Sequence, residues 1–328
     1  MSRKFDCLII GDVMLDVFVK NRGDSVRFLR GGTSYSDFAH LDFGGAGNVA
    51  TGLSLLGGRA SFIGKGGDDF WAKMYKQDLI TNGAATNIFL EKGSSTGLAL
   101  IALGERGERS LCVFRGANDR LSIDEIDKST SLLTTSKYLY FSGFSLVSDP
   151  QKAAVLHAVK LAKQYGVKVV FDPAAHNLIR SHFKLFDELL DTCDIFCPNL
   201  EEAKAITRRR SLQNVMDELT ERARFAVIKC GKTGCIFVTP KNKIKIPAFS
   251  VNCSDSTGAG DAFVAALIYG LAKNLSLRAI GELANWFAAQ VVTRVGSRSF
   301  PTRLEIANFR QDSAKDSART ISGQIKTN

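Results

Sequence analysis

No run of this chain approaches the roughly 20 consecutive apolar residues that a helix needs to cross a bilayer, so a membrane-embedded role is not expected. The start, MSRKFDCLIIGD, passes straight into a short apolar strand. It lacks a long apolar segment ending in a small-residue cleavage site, so no secretory leader is expected and a cytoplasmic location is. Histidine is scarce, and His40, His157, His176 and His182 share no motif. Cysteine offers no framework either: there are seven, an odd number, and none forms a CxxC pair. Cys193 with Cys197, and Cys230 with Cys235, have no second pair or histidine cluster to complete a zinc pattern. Free thiols buried in a reducing compartment fit this usage better than disulfides.

Acidic charge is the smaller share, 33 residues against 43 basic ones, for a formal net charge of +10. Such a balance suits nucleic acid, an anionic membrane or anionic small substrates. The basic residues are dispersed, however. The one dense run, Arg208-Arg209-Arg210, falls between two predicted helices and reads as a solvated loop. No aromatic–basic interleaving offers a platform for stacked bases, so no nucleic-acid partner is expected.

With 328 residues, 45% hydrophobic and 23% charged, the chain has ordinary globular composition and length for a large core. The runs FDCLIIG, ASFIG, TNIFLE, YLYFSG, VKVVFD, DIFCP and FAVIKC read as buried strands. Helix-period segments lie between them at 46–56, 69–82, 123–134, 150–165, 181–190, 200–206 and 212–222. This alternation predicts an α/β fold, a mainly parallel central sheet with helices on both faces. Ligands of such sheets bind at the carboxyl ends of the strands. Two stretches break the rhythm: 17–32 and 96–114 read as β-hairpins or a small separate sheet, placed to act as a cover. The predicted division is therefore an α/β body (1–11, 44–95 and 118–310), a β lid (12–43 and 96–117), and a polar, flexible tail (311–328).

Five motifs carry chemistry. In DSTGAGDAF, Gly258, Ala259 and Gly260 precede an apolar helix, whose free N–H groups form an anion site. Asp261 stands in its first turn, kept ionised by the helix dipole. A carboxylate beside a phosphate-binding turn can take a proton from an attacking hydroxyl, and in phosphoryl transfer positioning outweighs base strength. A tight turn with a stabilising first-turn acid is the plain structural alternative. In FGGAGNVATGL, Gly44, Gly45 and Gly47 precede a small-residue helix with Asn48 at its start, where an amide can read sugar hydroxyls. A dinucleotide fingerprint is disfavoured there, because the spacing is not GxGxxG and no buried strand leads in. In GDVMLD, Asp12 and Asp16 follow the first strand, and Asp16 can hold a polyol through two hydroxyls or simply serve a turn. In CPNLEEAKAIT, Asn199 and Glu202 have capping-box spacing and also suit a hydrated Mg²⁺. In IKCGKTGCIF, Lys229, Gly231 and Gly234 make either a hairpin turn or a nucleotide-contacting loop.

Taken in order from about residue 6 to 309, these segments resemble the ribokinase-like (PfkB) carbohydrate kinases: GD…D, GG-x-G-N, PN-x-x-E, G-x-x-G and D-x-T-G-A-G-D. The resemblance implies ATP-dependent phosphorylation of a hydroxymethyl group on a sugar or sugar acid. It implies Asp261 as base, Gly258, Ala259 and Gly260 as anion hole, and Asp16, Gly44, Gly45 and Asn48 at the sugar. ATP would lie along 229–234 and 285–296, contacted by Asn199, Lys229, Gly231, Gly234 and Asn285. Glu202 would act on Mg²⁺ through water, and Asp255, with the 292–299 loop, would hold a monovalent cation such as K⁺. The lid would also pair two copies into a homodimer. Members acting on fructose or ketoacid sugars carry a stretch similar to GERSLCVFRGAND, which places Arg115 to read a carboxylate or phosphate, or else on the lid surface. Arg27 and Arg30 favour an anionic sugar in the same way, whereas Phe18, Phe28 and Phe114 leave a nucleoside acceptor open. A catalytically silent binding relative is the non-enzymatic alternative, opposed by the intact motif set.

Overall fold

The computed structural model describes residues 3–21, 33, 35–104 and 109–312. Along the chain its strands are β1 (Phe5–Ile10), β2 (Met14–Asn21), β3 (Ser36–Gly44), β4 (Ala60–Gly67), β5 (Ala85–Glu91), β6 (Gly97–Leu103) and β7 (Arg109–Phe114). They continue with β8 (Ser136–Ser142), β9 (Lys168–Asp172), β10 (Ile195–Phe196), β11 (Ala226–Lys229), β12 (Cys235–Val238) and β13 (Lys243–Ile246). Nine of them form one sheet in the order β13-β12-β11-β10-β9-β8-β1-β4-β5. Every pairing from β11 to β5 is parallel, and only the β11–β12–β13 edge is antiparallel.

Alternation along each strand builds two cores, because successive side chains leave a strand on opposite faces. In β1, Cys7 and Ile9 enter one cluster while Leu8 and Ile10 enter the other. The first cluster packs under the helices Gly47–Leu55, Phe70–Thr81, Ala259–Ala272 and Leu277–Val291. The second packs under Gln151–Gln164, Phe183–Thr192, Leu200–Thr207 and Leu212–Arg222. A strand covered on both faces has no polar side, which is why these strands read as apolar runs. Arg208 ends one of these helices at φ 54° and lays its guanidinium 3.8 Å from the Phe183 ring, while Arg209 pairs with Glu218. The basic run is thus an exposed loop, as its sequence suggested.

The remaining strands form a separate sheet in the order β3-β2-β6-β7. The 96–114 stretch is a hairpin, β6 against β7. Of the 17–32 stretch only 17–21 is described: it is the end of β2, antiparallel to β3 at 36–44 and parallel to β6, and so part of the small separate sheet. The segment SDFAHLDFG carries no clear strand signal, because it mixes polar and apolar residues and is exposed along most of its length. A strand therefore does lead into the Gly44–Asn48 segment, although it is neither buried nor part of the large sheet. Arg27, Phe28, Arg30 and most of the predicted tail lie outside the described residues.

One predicted helix is divided, and another follows a short additional one. The 123–134 segment breaks at Ser129 into Ile123–Lys128 and Thr130–Thr134, and the 181–190 segment is preceded by a short helix, His176–Ser181. No helix among the described residues is long and apolar enough to cross a membrane.

Candidate active site

The helix Ala259–Ala272 is apolar on nearly every side and is buried between the large sheet and its neighbours. Its first turn lies near Lys229, the last residue of the parallel strand β11. Gly258 enters it at φ 79°, a left-handed conformation that disfavours a side chain. A Cβ there would also sit 2.1 Å from the Ser297 carbonyl oxygen. At Gly260 the situation is reversed: a Cβ would meet only Lys229 Nζ, at 3.9 Å. The first turn of the helix thus borders open space with an ammonium opposite, in addition to its own outward N–H groups. Asp261, half-buried, accepts from Asn48 Nδ2 at 2.8 Å.

Asn48 belongs to the helix Gly47–Leu55, which begins directly after β3. Asp16 comes from β2, opposite Asp42 of β3. The Gly44–Gly45 pair is required by close approach. A Cβ at Gly44 would lie 2.2 Å from Asp16 Oδ2, and Gly45 sits at φ 69° against the Asp12 carbonyl. Ser297 donates to Asp16 Oδ2 at 2.5 Å. Burial pushes the Asp16 carboxyl up to about 6. The nearby charges of Asp42 and Asp261 add to that shift, while the Ser297 hydrogen bond and Arg298 oppose it.

On the other side of the turn lie Asp172 at the end of β9, Asn199 and Glu202 after β10, and Lys229 at the end of β11. Lys229 Nζ contacts Asp172 Oδ2 at 2.5 Å, with the lysine side chain only 14% exposed. Burial works against its charge, but Asp172, with Cys197 and Glu202, outweighs burial and holds the ammonium above its usual value. Asn199 and Glu202 form the capping box in full: Asn199 Oδ1 accepts from the Glu202 N–H at 2.9 Å, and Glu202 accepts from the Asn199 N–H at 2.8 Å. The Asn199 side-chain amide also donates to Glu202, at 2.6 Å. Burial pushes the Glu202 carboxyl up to about 7 against the pull of Lys229.

Gly231 and Gly234 flank a single 3-10 turn in the β11–β12 hairpin. Gly234, at φ 100°, lies where a Cβ would collide with the Ile246 carbonyl, while beside Gly231 there is open space. Asn285 is buried and donates to the Ile246 and Pro247 carbonyls, so its amide ties a helix to the end of β13. Asp255 is buried too. Its Oδ1 accepts from the Thr257 N–H and hydroxyl, and its Oδ2 accepts from the Gly296 N–H at 3.1 Å. These bonds fasten the GAG turn to the 292–299 segment.

Arg115 is placed differently from the sugar-reading position suggested by its sequence context. Its guanidinium makes a two-pronged pair with Asp12 at 3.0 and 3.2 Å, and it also donates to Asp119 at 2.5 Å and to Gln151 at 2.6 Å. It joins the root of the lid to the body. Residues that sequence reasoning did not single out stand in the same site: Asp42, Asp172, Ser297 and Arg298. Asp172 carried a usable signal, as a carboxylate at the carboxyl end of a parallel strand. Arg298 carried none, because its partners lie 220 to 256 residues away.

The site thus joins a helix N-terminus, a carboxylate in its first turn, and Asp16 and Asp42 from a second sheet. The chain matches the pfkB family carbohydrate kinases over residues 4–303 and belongs to that family. Among curated proteins it is similar to a probable fructokinase-5 of Arabidopsis thaliana, 27% identical over 274 residues, covering 81% of this chain and 83% of that one. It is 30% identical over 252 residues to fructokinase-2 of Oryza sativa subsp. japonica, covering 73% and 74%. Among solved structures it is similar to an adenosine kinase from Sinorhizobium meliloti, at 25% identity, TM-score 0.85, and 94% and 99% coverage. A putative ribokinase II from E. coli in complex with ATP and Mg²⁺ shares the fold at 20% identity and TM-score 0.82, over 95% and 100% of the two chains. The chain is thus a phosphotransferase with an alcohol acceptor.

Proposed function

We propose that this protein transfers the terminal phosphoryl group of ATP to a hydroxymethyl group of a sugar. The observation that carries this reading is the 2.8 Å bond from Asn48 to Asp261, which joins the sugar-side segment to the anion-binding turn. Asp261 accepts the proton of the attacking hydroxyl. The N–H groups at Gly258, Ala259 and Gly260 stabilise charge on the transferring group, and Lys229, across the open space at Gly260, adds a cation. Asp16, Gly44, Gly45 and Asn48 bind and orient the sugar. The nucleotide runs past Lys229, Gly231 and Gly234, and Asn199 and Asn285 shape its walls.

Bound ATP with Mg²⁺ supplies the transferable group and the divalent charge that neutralises it. The residues fit that pair: the first turn at Gly260 faces open space with the Lys229 ammonium opposite, and the Glu202 carboxylate lies near that ammonium. Mg²⁺ keeps most of its ligands as water and phosphate oxygen, with Glu202 acting on that water shell. A K⁺ site at Asp255 would use the 292–299 carbonyls.

The names of the curated relatives favour a ketohexose as the sugar. A nucleoside is the second reading, and the lid gives it a specific basis. Phe18, Ile101 and Leu111 are in register across β2, β6 and β7, as are Asp16, Ala99 and Val113, so all six share the face that carries Asp16. We also infer a cytoplasmic homodimer. All seven cysteines are free thiols, and the lid exposes Leu41, Leu111, Val113 and Phe114 on β3 and β7, its edge strands among the described residues. A single monomeric species in sedimentation velocity would end the dimer reading.

The test is ADP release across a panel of ketoses, aldoses, acidic sugars, sugar phosphates and nucleosides, with Mg²⁺, with and without K⁺. One sugar should dominate. Asp261→Asn should keep ATP binding and lose turnover by about 10³-fold or more. Near-normal turnover in that variant would refute the mechanism.

A further inference from the structure

An amide between two groups can face either way, and its two ends differ only in whether they donate or accept. Asn48 lies between Arg298 and Asp261. Arg298 Nε is 2.8 Å from Asn48 Oδ1, and Asn48 Nδ2 is 2.8 Å from Asp261 Oδ2. A guanidinium can only donate and an ionised carboxylate can only accept. One orientation of Asn48 is therefore self-consistent: oxygen to Arg298, nitrogen to Asp261. If the cation were replaced by an apolar group, Asn48 Oδ1 would lose its donor and Asp261 alone would hold the amide.

Arg298 is itself immobilised. Its side chain is only 8% exposed, and Nη1 is paired with Asp78 of the helix Phe70–Thr81. Its backbone N–H donates to Asp42 Oδ2 at 2.8 Å. The guanidinium carbon lies 4.9 Å from the Tyr75 ring centre and 5.5 Å from that of Phe43. Gly47 makes room for it, because a Cβ there would fall 2.7 Å from Arg298 Nη2 and 2.0 Å from the Tyr75 hydroxyl. Two acceptors on different sides of one buried cation call for the planar fork of arginine rather than the point charge of lysine.

We propose that Arg298 is a positioning residue for the transfer step: it sets the Asn48 amide, which in turn holds the Asp261 carboxylate toward the sugar hydroxyl. The proposal rests on the reading of Asp261 as base. It also gives the 292–299 segment a role separate from any cation, since this segment carries Arg298 to the sugar side of the site.

The test is a cycle of variants in the full chain. Arg298→Met alone would leave Asp78 without its buried partner, so it is paired with Asp78→Asn. The pair should lower kcat about 10- to 100-fold, the loss a displaced catalytic group produces, with the KM for ATP changed less than about twofold. Asn48→Leu should lower kcat as well, and adding it to the pair should cost nothing further, because both act through one bond. Arg298→Lys should retain most of the loss, since charge without the fork cannot hold the amide.

The pH profile gives a separate readout. The charged or titratable groups around this point are Asp16 from β2, Asp42 from β3, Tyr75 and Asp78 from Phe70–Thr81, Tyr140 from β8 and Lys229 from β11. Arg298 holds Asp16 down against its burial. Without Arg298, the acid limb of kcat/KM for the sugar should therefore move to higher pH.

A wild-type kcat and pH profile in the Arg298 and Asp78 pair, with only a lowered melting temperature, would overturn the positioning role. Full additivity with Asn48→Leu would overturn it too. If Asp261→Asn retains turnover, the base reading falls first. If Asp261→Asn is inactive and the Arg298 variants are not, the positioning role alone falls.

Discussion

The GAG turn separates two buried polar clusters that are built on opposite plans. On the sheet side, one short ion pair, Lys229 with Asp172, carries the charge balance, and Glu202 stands beside it with its carboxyl raised to about 7. On the lid side, Arg298 gives its guanidinium to Asp78 and its backbone N–H to Asp42, while neutral donors from Ser297 and Asn48 hold Asp16 and Asp261. The sheet-side groups sit at the ends of strands whose pairing fixes them. The lid-side groups come from two paired lid strands, three helices and the 292–299 segment, which no single sheet holds together. A site for an anion needs a fixed cation at a rigid floor. A site for hydroxyls needs acceptors, and acceptors crowded together raise one another's affinity for protons.

If this contrast is right, removing the sheet-side cation should have the larger effect. Lys229→Met leaves Asp172 buried without a counter-charge beside Glu202. Breaking a buried pair from one side costs about 3–5 kcal/mol, and loss of a cation facing the transferring group should lower kcat by roughly 10²-fold or more. The double variant Lys229→Met with Asp172→Asn should recover most of the stability, read by chemical denaturation, but not the turnover. Recovery of both would mean that Lys229 only balances Asp172, and the contrast between the clusters would lose its functional half.

How far each cluster was legible in the sequence follows from the same difference in construction. Strand β1 announced itself because both of its faces are buried, so FDCLII carries no polar side. The turn at 258–260 announced itself because glycines directly before an apolar helix have few other uses. Asn199 and Glu202 were legible because a capping box is local, closed within three residues. What stayed hidden was what long-range contact decides. Arg115 looks free in a string and is bound to Asp12, 103 residues away. β3 has no strand-like alternation because both of its faces are exposed from Ser36 to Leu41. Arg298 sits in GSRSFP, a stretch without a period or a cap, and only the fold places it against Asn48.

The lid side has its own smaller test, in which stability and function move in opposite directions. Asp16 titrates near 6, above the usual carboxylate value, so the folded protein binds its proton more tightly than the unfolded chain does. The stability this contributes is fully present below the unfolded value of about 4 and is lost as pH rises through 6. At pH 8 the ionised group is a burden on the fold. Asp16→Asn removes that burden while keeping an oxygen that can accept from Ser297. The variant should match the parent near pH 4 and exceed it at pH 8, by on the order of 1–3 kcal/mol in urea unfolding. It should also weaken the sugar, because a charged acceptor for hydroxyls has been replaced by a neutral one. A roughly 10- to 100-fold fall in kcat/KM for the sugar is expected, with the KM for ATP little changed. A variant less stable at pH 8 than the parent would show that Ser297 and Arg298 more than compensate the Asp16 charge. The acceptors on the lid side would then be as well balanced as the pair on the sheet side.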